Sequence, residues 1–283
     1  MIVAGSDSQA LAADLAGATG EPLAGVEYER FPDGEGLVRV SGLGRGDRAV
    51  VVVSTVSAPA HVELLQLQDA AREAGAGTVT TVIPYMGYAR QDRAFAAGEP
   101  VSARAVARAV STGTDRVLTV NPHKEGVLDY FDVPAEAVDA AGRLAEPLPD
   151  DLADPLFLAP DGGAVDIARS VADGYGRGET DHLRKTRHSG TEVEVEPVDI
   201  AVAGRDVVLV DDIVATGATM SEAVRVLHER GAGRVYAACV HPLLVEGARL
   251  RLARAGVAAV VGTDTLEGPA SAVSVAPAVT EVL

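Results

Sequence analysis

Two adjacent carboxylates close an apolar run in VVLVDDIVATGATM, residues 207–220, and a loop of small residues follows them directly. Four aliphatic residues before Asp211 and Asp212 suit a strand buried on both faces. Ala215, Thr216, Gly217, Ala218 and Thr219 then offer successive backbone N–H groups, two hydroxyls and little bulk, the composition of a phosphate cradle. A helix expected from about Ser221 would add its positive N-terminal end. Carboxylates repel phosphate, so the acids need a separate purpose. A ligand with a phosphate at one end and vicinal hydroxyls or a cation at the other supplies it, and a sugar phosphate is such a ligand. The plainer reading, acids that merely cap a Thr-Gly turn, leaves their pairing without a role.

Other stretches carry polar groups where loops should follow strands. FPDGE, with Phe31, Asp33, Gly34 and Glu35, reads by itself as an exposed Pro-Asp-Gly turn. IPYMGYARQDR brings Arg90, Gln91 and Asp92 after an apolar run, suited either to stacking on a base and neutralising phosphate or to plain Arg–Asp pairing in a solvated loop. His123 and Asp161 end the runs RVLTVNP and PLFLAP, and a lone His is more often structural than a ligand. RKTR holds Lys185 and Arg187; the only other lysine is Lys124, so a compact ammonium has been retained here where arginine is the rule. The surrounding HLRKTRHSGTEVEV is polar without a buried stripe and reads as a mobile loop able to close on phosphates. No Gly-Lys dipeptide exists for a Walker A loop, and GLGRG and GYGRG do not match the dinucleotide-binding spacing.

Positioning these groups requires strands that end side by side. AVVVVST, TVTTVIPY, RVLTVNP, PLFLAP, DVVLVDD, RVYAACV and AAVVGTDT alternate with loops and Ala/Leu/Arg-rich helical patterns, which predicts βα units and mainly parallel sheets. Ligands then sit beyond the C-terminal strand ends. Residues 51–84 also align with 207–240, strand over strand and helix over helix, with Gly75–Gly77 over Gly231–Gly233. Asp211 and Asp212 then face Thr55 and Val56, so one sugar site per chain is expected. Two similar α/β domains follow, 1–146 and 147–283, divided at the Pro-rich acidic stretch EPLPDDLADP.

Composition narrows the setting. At 283 residues with 47% hydrophobic content the chain can bury two cores, and no apolar run reaches the roughly 18 residues of a membrane span. The lone Cys239 and an N-terminus without a basic, apolar leader point to a cytoplasmic protein. A formal charge of −17 argues against nucleic-acid and anionic-membrane partners. Acidic surplus with almost no Lys also suits a salt-rich cytoplasm, although GC-rich coding would favour Arg as well.

VVLVDDIVATGATM resembles the phosphoribosyl-diphosphate loop of the type I phosphoribosyltransferase fold. ERFPDGEGLVRV, IPYMGYARQDRAF, NPHKEGVLDYFDVP, LAPDGGA, RKTRHSGTEVEV and VVGTDT resemble, in order and over nearly the whole chain, segments of the ribose-phosphate pyrophosphokinases, especially their archaeal branch. The resemblance implies two phosphoribosyltransferase-like domains and synthesis of phosphoribosyl diphosphate (PRPP) from ATP and ribose 5-phosphate. It implies Mg²⁺ held at His123 and Asp161, and ATP bound by Arg90, Gln91 and Asp92. Phe31, Asp33, Gly34 and Glu35 would reach a neighbouring subunit's nucleotide, so a homo-oligomer, at least a dimer, is expected. Lys185 and Arg187 would stabilise the transferring group, and Arg187, Asp211, Asp212 and residues 215–219 would hold ribose 5-phosphate. Ala215 stands where many bacterial relatives carry an acid, and Asn-Pro-His where they have Asp-Leu-His; both departures fit the archaeal branch. A phosphoribosyltransferase, or an inactive PRPP- or nucleotide-binding paralogue, remains the alternative. The first would not need the FPDGE and GYARQDR stretches, and the second would be expected to lose Lys185, His123 or the paired acids.

Overall fold

The computed structural model describes residues 1–187, 193–197 and 201–283, and the side chains of 184–187 and 193–197 lie outside that description. Its contacts divide into two compact units: residues 1–139, 264–267 and 274–283 form the first, and residues 140–263 and 268–273 the second.

The first unit contains β1 (Ile2–Ala4), β2 (Gly25–Arg30), β3 (Gly36–Ser41), β4 (Arg48–Val52), β5 (Thr78–Ile83), β6 (Arg116–Val120) and β7 (Ala135–Val138), with helices α1 (Gln9–Thr19), α2 (Ala58–Glu73) and α3 (Ser102–Ser111). Its main sheet is parallel in the order β1-β4-β5-β6-β7, and β2 and β3 stand apart as an antiparallel hairpin. Burial does not alternate along β4 and β5; beyond their first residues both strands are buried throughout, because helices cover the sheet. α2 starts where Ser57 accepts the Ala60 N–H and Pro59 fits the first turn, and it buries Leu64, Leu67 and Ala71 on the sheet.

In the second unit the strands are β8 (Leu156–Ala159), β9 (Glu179–Arg187), β10 (Val193–Pro197), β11 (Val207–Ile213), β12 (Val235–His241), β13 (Ala259–Thr263) and β14 (Ser271–Val273), with α4 (Val165–Tyr175), α5 (Ala218–Glu229) and α6 (Ala248–Ala255). The sheet order is β10-β9-β8-β11-β12-β13-β14, parallel except for β10 against β9. Each unit is therefore a mainly parallel sheet flanked by helices, as the alternating pattern predicts. The internal repeat also holds at the level of elements. α2 and α5 end at facing residues, Glu73 and Glu229, yet α2 begins at Ala58, the counterpart of Val214, while α5 begins only at Ala218. The second copy thus uses as loop what the first winds as a helical turn.

Three expectations change. The stretch from Glu146 to Pro155 is no connection between units: Leu148 and Leu152 are buried, Pro149 O accepts from the Tyr175 hydroxyl at 2.6 Å, and Asp206 Oδ2 accepts the Ala153 N–H at 2.8 Å. Its prolines and acids signal exposure, but its leucines pack into the second unit. The chain's last ten residues belong to the first unit rather than to the second domain: α7 (Ala276–Thr280) packs on α1, and Arg48 and Arg116 donate to the carbonyls of Leu283 and Val282, each at 3.0 Å. The polar stretch around Lys185 is a pair of strands, β9 and β10, up to the described limits; backbone pairing of Leu156–Ala159 with Glu179–His182 makes β9 a strand without an apolar pattern.

Candidate functional site

β11 delivers Asp211 and Asp212 to the C-terminal end of the second sheet. Its register sets Val207–Leu209 against Leu156–Leu158 of β8 and Asp211 against Cys239 of β12. Just before its start, Asp206 is clamped by the Arg234 guanidinium, which donates to Oδ2 from Nε at 3.0 Å and Nη2 at 2.7 Å. Each site carboxylate is turned by the next amide: Asp212 N–H donates to Asp211 Oδ1 at 2.9 Å, and Ile213 N–H to Asp212 Oδ1 at 2.8 Å. Burial first, and then the charge of Asp212, push the Asp211 carboxyl up to about 8, with Asp161 adding to the same effect. Asp161 follows β8, the neighbouring strand, and its Oδ1 accepts the Gly163 N–H at 2.8 Å. Parallel neighbours thus place these acids close enough to raise one another.

The loop after β11 is polarised along its backbone. Carbonyls face inward: Val214 O accepts from Leu244 N–H at 2.9 Å, Ala215 O from Val245 N–H at 3.1 Å, and Thr216 O from the Arg251 guanidinium. The amides of Ala215, Thr216 and Gly217 take no hydrogen bond among the described residues. A run of carbonyls consumed and amides unused is an anion cradle, and α5 adds its N-terminal end three residues earlier than Ser221. Gly217 makes the turn at φ 69°, ψ 10°, and a Cβ there would lie 3.3 Å from Leu252 Cγ. Gly217→Ala should therefore cost about 1–2 kcal/mol of stability through left-handed backbone strain and crowding. It should also raise the KM for the phosphate-bearing substrate several-fold with a smaller change in kcat, read by thermal unfolding and steady-state kinetics; an unaltered KM would detach the turn from binding.

The candidate nucleotide groups lie in the first unit, in two places. Phe31–Glu35 is the tip of the β2–β3 hairpin, closed by Phe31 N–H to Glu35 O at 2.8 Å, Gly34 N–H to Phe31 O at 2.9 Å and Glu35 N–H to Asp33 Oδ1 at 3.1 Å. Gly34 adopts φ 94°, and the Phe31 ring is 39% exposed. Arg90, Gln91 and Asp92 follow β5 in a loop tied down by Gly87 N–H to Thr55 Oγ1 at 2.9 Å, Ala103 N–H to Gln91 O at 3.2 Å and Tyr130 OH to Asp92 O at 2.7 Å. Arg90 is exposed and makes no hydrogen bond or ion pair among the described residues, so its charge stays available. No hydrogen bond or ion pair joins the hairpin tip to this loop among the described residues.

His123 follows β6 in the first unit, half-buried; Asp161 belongs to the second. Lys185 and Arg187 lie on β9, Lys185 opposite Val195 of β10, and their side chains fall outside the described residues. Among the described residues no cluster of three or more His, Cys, Asp or Glu side chains is preassembled for a metal. The donor chemistry nevertheless fits Mg²⁺, which takes one or two carboxylates and retains waters and substrate oxygens; uncompensated acids such as Asp161 and the raised Asp211 favour a hard cation. Reading residues alone missed Arg251, which holds the loop from α6, and Ser54 and Thr55, which anchor the Arg90 loop. The run ARLRLARA does not single out Arg251, since SARAVARAVS is likewise a helix whose only charges are arginines.

Known proteins resemble this chain in sequence and fold. Residues 1–113 match the N-terminal domain of ribose phosphate pyrophosphokinase and residues 129–262 the phosphoribosyl transferase domain. A ribose-phosphate pyrophosphokinase of Halobacterium salinarum is 64% identical over 283 residues, covering all of both chains. One from Methanosarcina mazei is 46% identical, covering all of this chain and 94% of that one. Phosphoribosylpyrophosphate synthetase from Mycobacterium smegmatis has a crystal structure similar at a TM-score of 0.84 and 30% identity, covering 100% of this chain and 96% of that chain.

Proposed function

The chain belongs to the ribose-phosphate pyrophosphokinase family, and from that premise we propose how its own residues make PRPP. The enzyme transfers the β,γ-diphosphoryl group of ATP to the 1-hydroxyl of ribose 5-phosphate. The hydroxyl oxygen bonds to the β-phosphorus, the bond from that phosphorus to the α-bridging oxygen breaks, AMP leaves, and the hydroxyl proton passes to solvent or an adjacent base. The observation that carries the reading is the two-ended site on one loop: carboxylates at Asp211 and Asp212, and amides at residues 215–217 that donate to no group among the described residues.

Ribose hydroxyls donate to Asp211 and Asp212, while residues 215–219 cradle the 5-phosphate and Arg187 adds charge to that end. Transfer of this kind depends on positioning and on neutralising the phosphoryl oxygens. Lys185 and Arg187 supply fixed positive charge there. His123 and Asp161 would hold Mg²⁺, which when bound neutralises phosphate charge. Arg90, Gln91 and Asp92 hold the nucleotide, and Phe31, Asp33, Gly34 and Glu35 of another copy complete its site. That last role needs at least a dimer; it is supported by an exposed hairpin tip that makes no bond to its own chain's Arg90 loop. Incubation with ATP, Mg²⁺ and ribose 5-phosphate, followed by phosphorus NMR, tests the reaction: AMP and PRPP are expected, and ADP or no turnover would overturn it.

A cytoplasm rich in salt is the proposed setting. Among the described residues no helix is long and apolar enough to cross a membrane. At a formal charge of −17 self-repulsion is large, and molar salt shortens its reach to a few ångströms. The midpoint of thermal unfolding should rise between about 0.15 M and molar KCl, with activity following it. A steady fall of both with added KCl would exclude salt adaptation.

A further inference from the structure

The chain behind the phosphate loop departs from a regular ladder by one residue. Beyond the paired ends of β11 and β12, where Ile213 faces His241, the Val214 N–H still donates to His241 O at 3.2 Å. A parallel ladder would next give the Val214 carbonyl to the N–H of residue 243. That amide is already used: Leu243 N–H turns back to His241 O at 2.9 Å, in a three-residue turn around Pro242, which has no N–H of its own. The ladder resumes one residue late, with Leu244 N–H on Val214 O at 2.9 Å and Val245 N–H on Ala215 O at 3.1 Å.

Two successive amides reach two successive carbonyls because of the backbone between them. Leu244 lies in the left-handed region, at φ 44°. In an extended segment neighbouring N–H groups point to opposite sides, and a left-handed residue brings them to one side. The region is unfavourable for a bulky side chain, and such outliers persist only where the surroundings hold them. Here the Leu244 side chain is partly buried against the apolar core of the second unit. Glu246 and Gly247 are left-handed too, at φ 54° and 73°, but they lead into α6: Ala248 N–H returns to Val245 O at 3.0 Å, and Gly247 O accepts the Arg251 N–H at 3.1 Å. Of the three, only Leu244 has both flanking amides on the loop after β11 among the described residues. We propose that Leu244 is a positioning residue for that loop. Its left-handed backbone, rather than its side chain, draws the carbonyls of Val214 and Ala215 to one side and leaves the amides of residues 215–217 unspent for the substrate's phosphate. The use made of those amides rests on reading the loop as the ribose 5-phosphate cradle; the backbone device does not.

Two substitutions separate backbone from packing, because the two roles rank them in opposite orders. Leu244→Val keeps an apolar side chain but its β-branching resists the left-handed region, whereas Leu244→Asn loses the apolar contact and tolerates that region. The valine variant should raise the KM for ribose 5-phosphate roughly fivefold or more, with the KM for ATP within about twofold of wild type. The asparagine variant should stay within about twofold of wild type in both, although its Tm falls. A valine variant equal to wild type, or an asparagine variant impaired as much as the valine one, overturns the positioning role. Thermal unfolding checks each fold, and Leu244→Ala with Leu244→Gly serves as the resisting and tolerant pair if either protein is unstable. Residue-resolved amide exchange is the second readout and needs no turnover. The Leu244 and Val245 amides should be protected in wild type and in the asparagine variant, and should exchange roughly tenfold faster or more in the valine variant. Equal exchange in all three overturns the backbone device whatever the kinetics. If wild type makes no PRPP, the assigned reaction fails, and exchange alone decides the device.

Discussion

Replacing Asp211 with Asn should make the metal-free protein more stable while removing most of its activity. The carboxyl sits at about 8 in the folded chain against 3.8 for an unperturbed Asp, because burial and Asp212 disfavour its charge. Folding therefore takes up a proton across that interval. Stability from this group is fully present below the lower value and is lost as pH rises through the higher one. At neutral pH the wild type carries the cost, and the amide does not. Relief of about 1–3 kcal/mol is the scale for such a buried polar group, or roughly 2–6 °C in Tm for a chain of this size. The gain should vanish in acid, where the two proteins converge. Activity moves the other way: in the proposed site ligand binding deprotonates Asp211, and loss of the charge-assisted hydrogen bonds its carboxylate would then accept from ribose hydroxyls should lower kcat/KM for ribose 5-phosphate by roughly 10² or more. Melting curves in EDTA from acid to alkaline pH, beside steady-state kinetics, read both halves. A variant less stable than wild type at neutral pH would mean that Asp211 is satisfied within the fold, and the ribose assignment would lose its physical basis.

Lys185→Ala should lower kcat by roughly 10² or more with a much smaller change in KM for either substrate. In the proposed assignment a compact ammonium at this place would neutralise oxygens whose charge develops as the β-phosphorus leaves AMP. Lys185→Arg is the sharper comparison, because the rest of this chain uses arginine as its cation and retains only Lys124 besides. A planar fork keeps the charge and changes its placement, so partial recovery is expected. Unchanged kcat in the alanine variant would remove Lys185 from the chemistry.

Local periodicity made much of this architecture legible. VVLV before Asp211 could be read as a strand covered on both sides because burial on two faces leaves no polar alternation, and the acids marked its end. The repeat was legible because its two copies keep the strand–helix–strand order and the Gly75 and Gly231 turns, both left-handed. What was hidden depends on long-range partners. Arg251 looks like any exposed helix residue until the fold brings it to Thr216. β9 is a strand by backbone pairing rather than by pattern. Leu148 and Leu152 are outnumbered by the prolines and acids around them, although it is the leucines that pack.

The end of the chain has a consequence for how the protein is made. α1 has no side-chain cap from Ser8; its first-turn amides at Ala10 and Leu11 donate instead to Glu267 Oε1, at 2.7 Å and 3.1 Å. Arg48 receives both extremities, its carbonyl accepting from the Met1 amine at 2.6 Å and its guanidinium donating to Leu283 O. During synthesis from the N-terminus, then, the unit begun first is finished last. Its opening helix waits uncapped until Glu267 has been added, so the first unit can close only after the second has been synthesised.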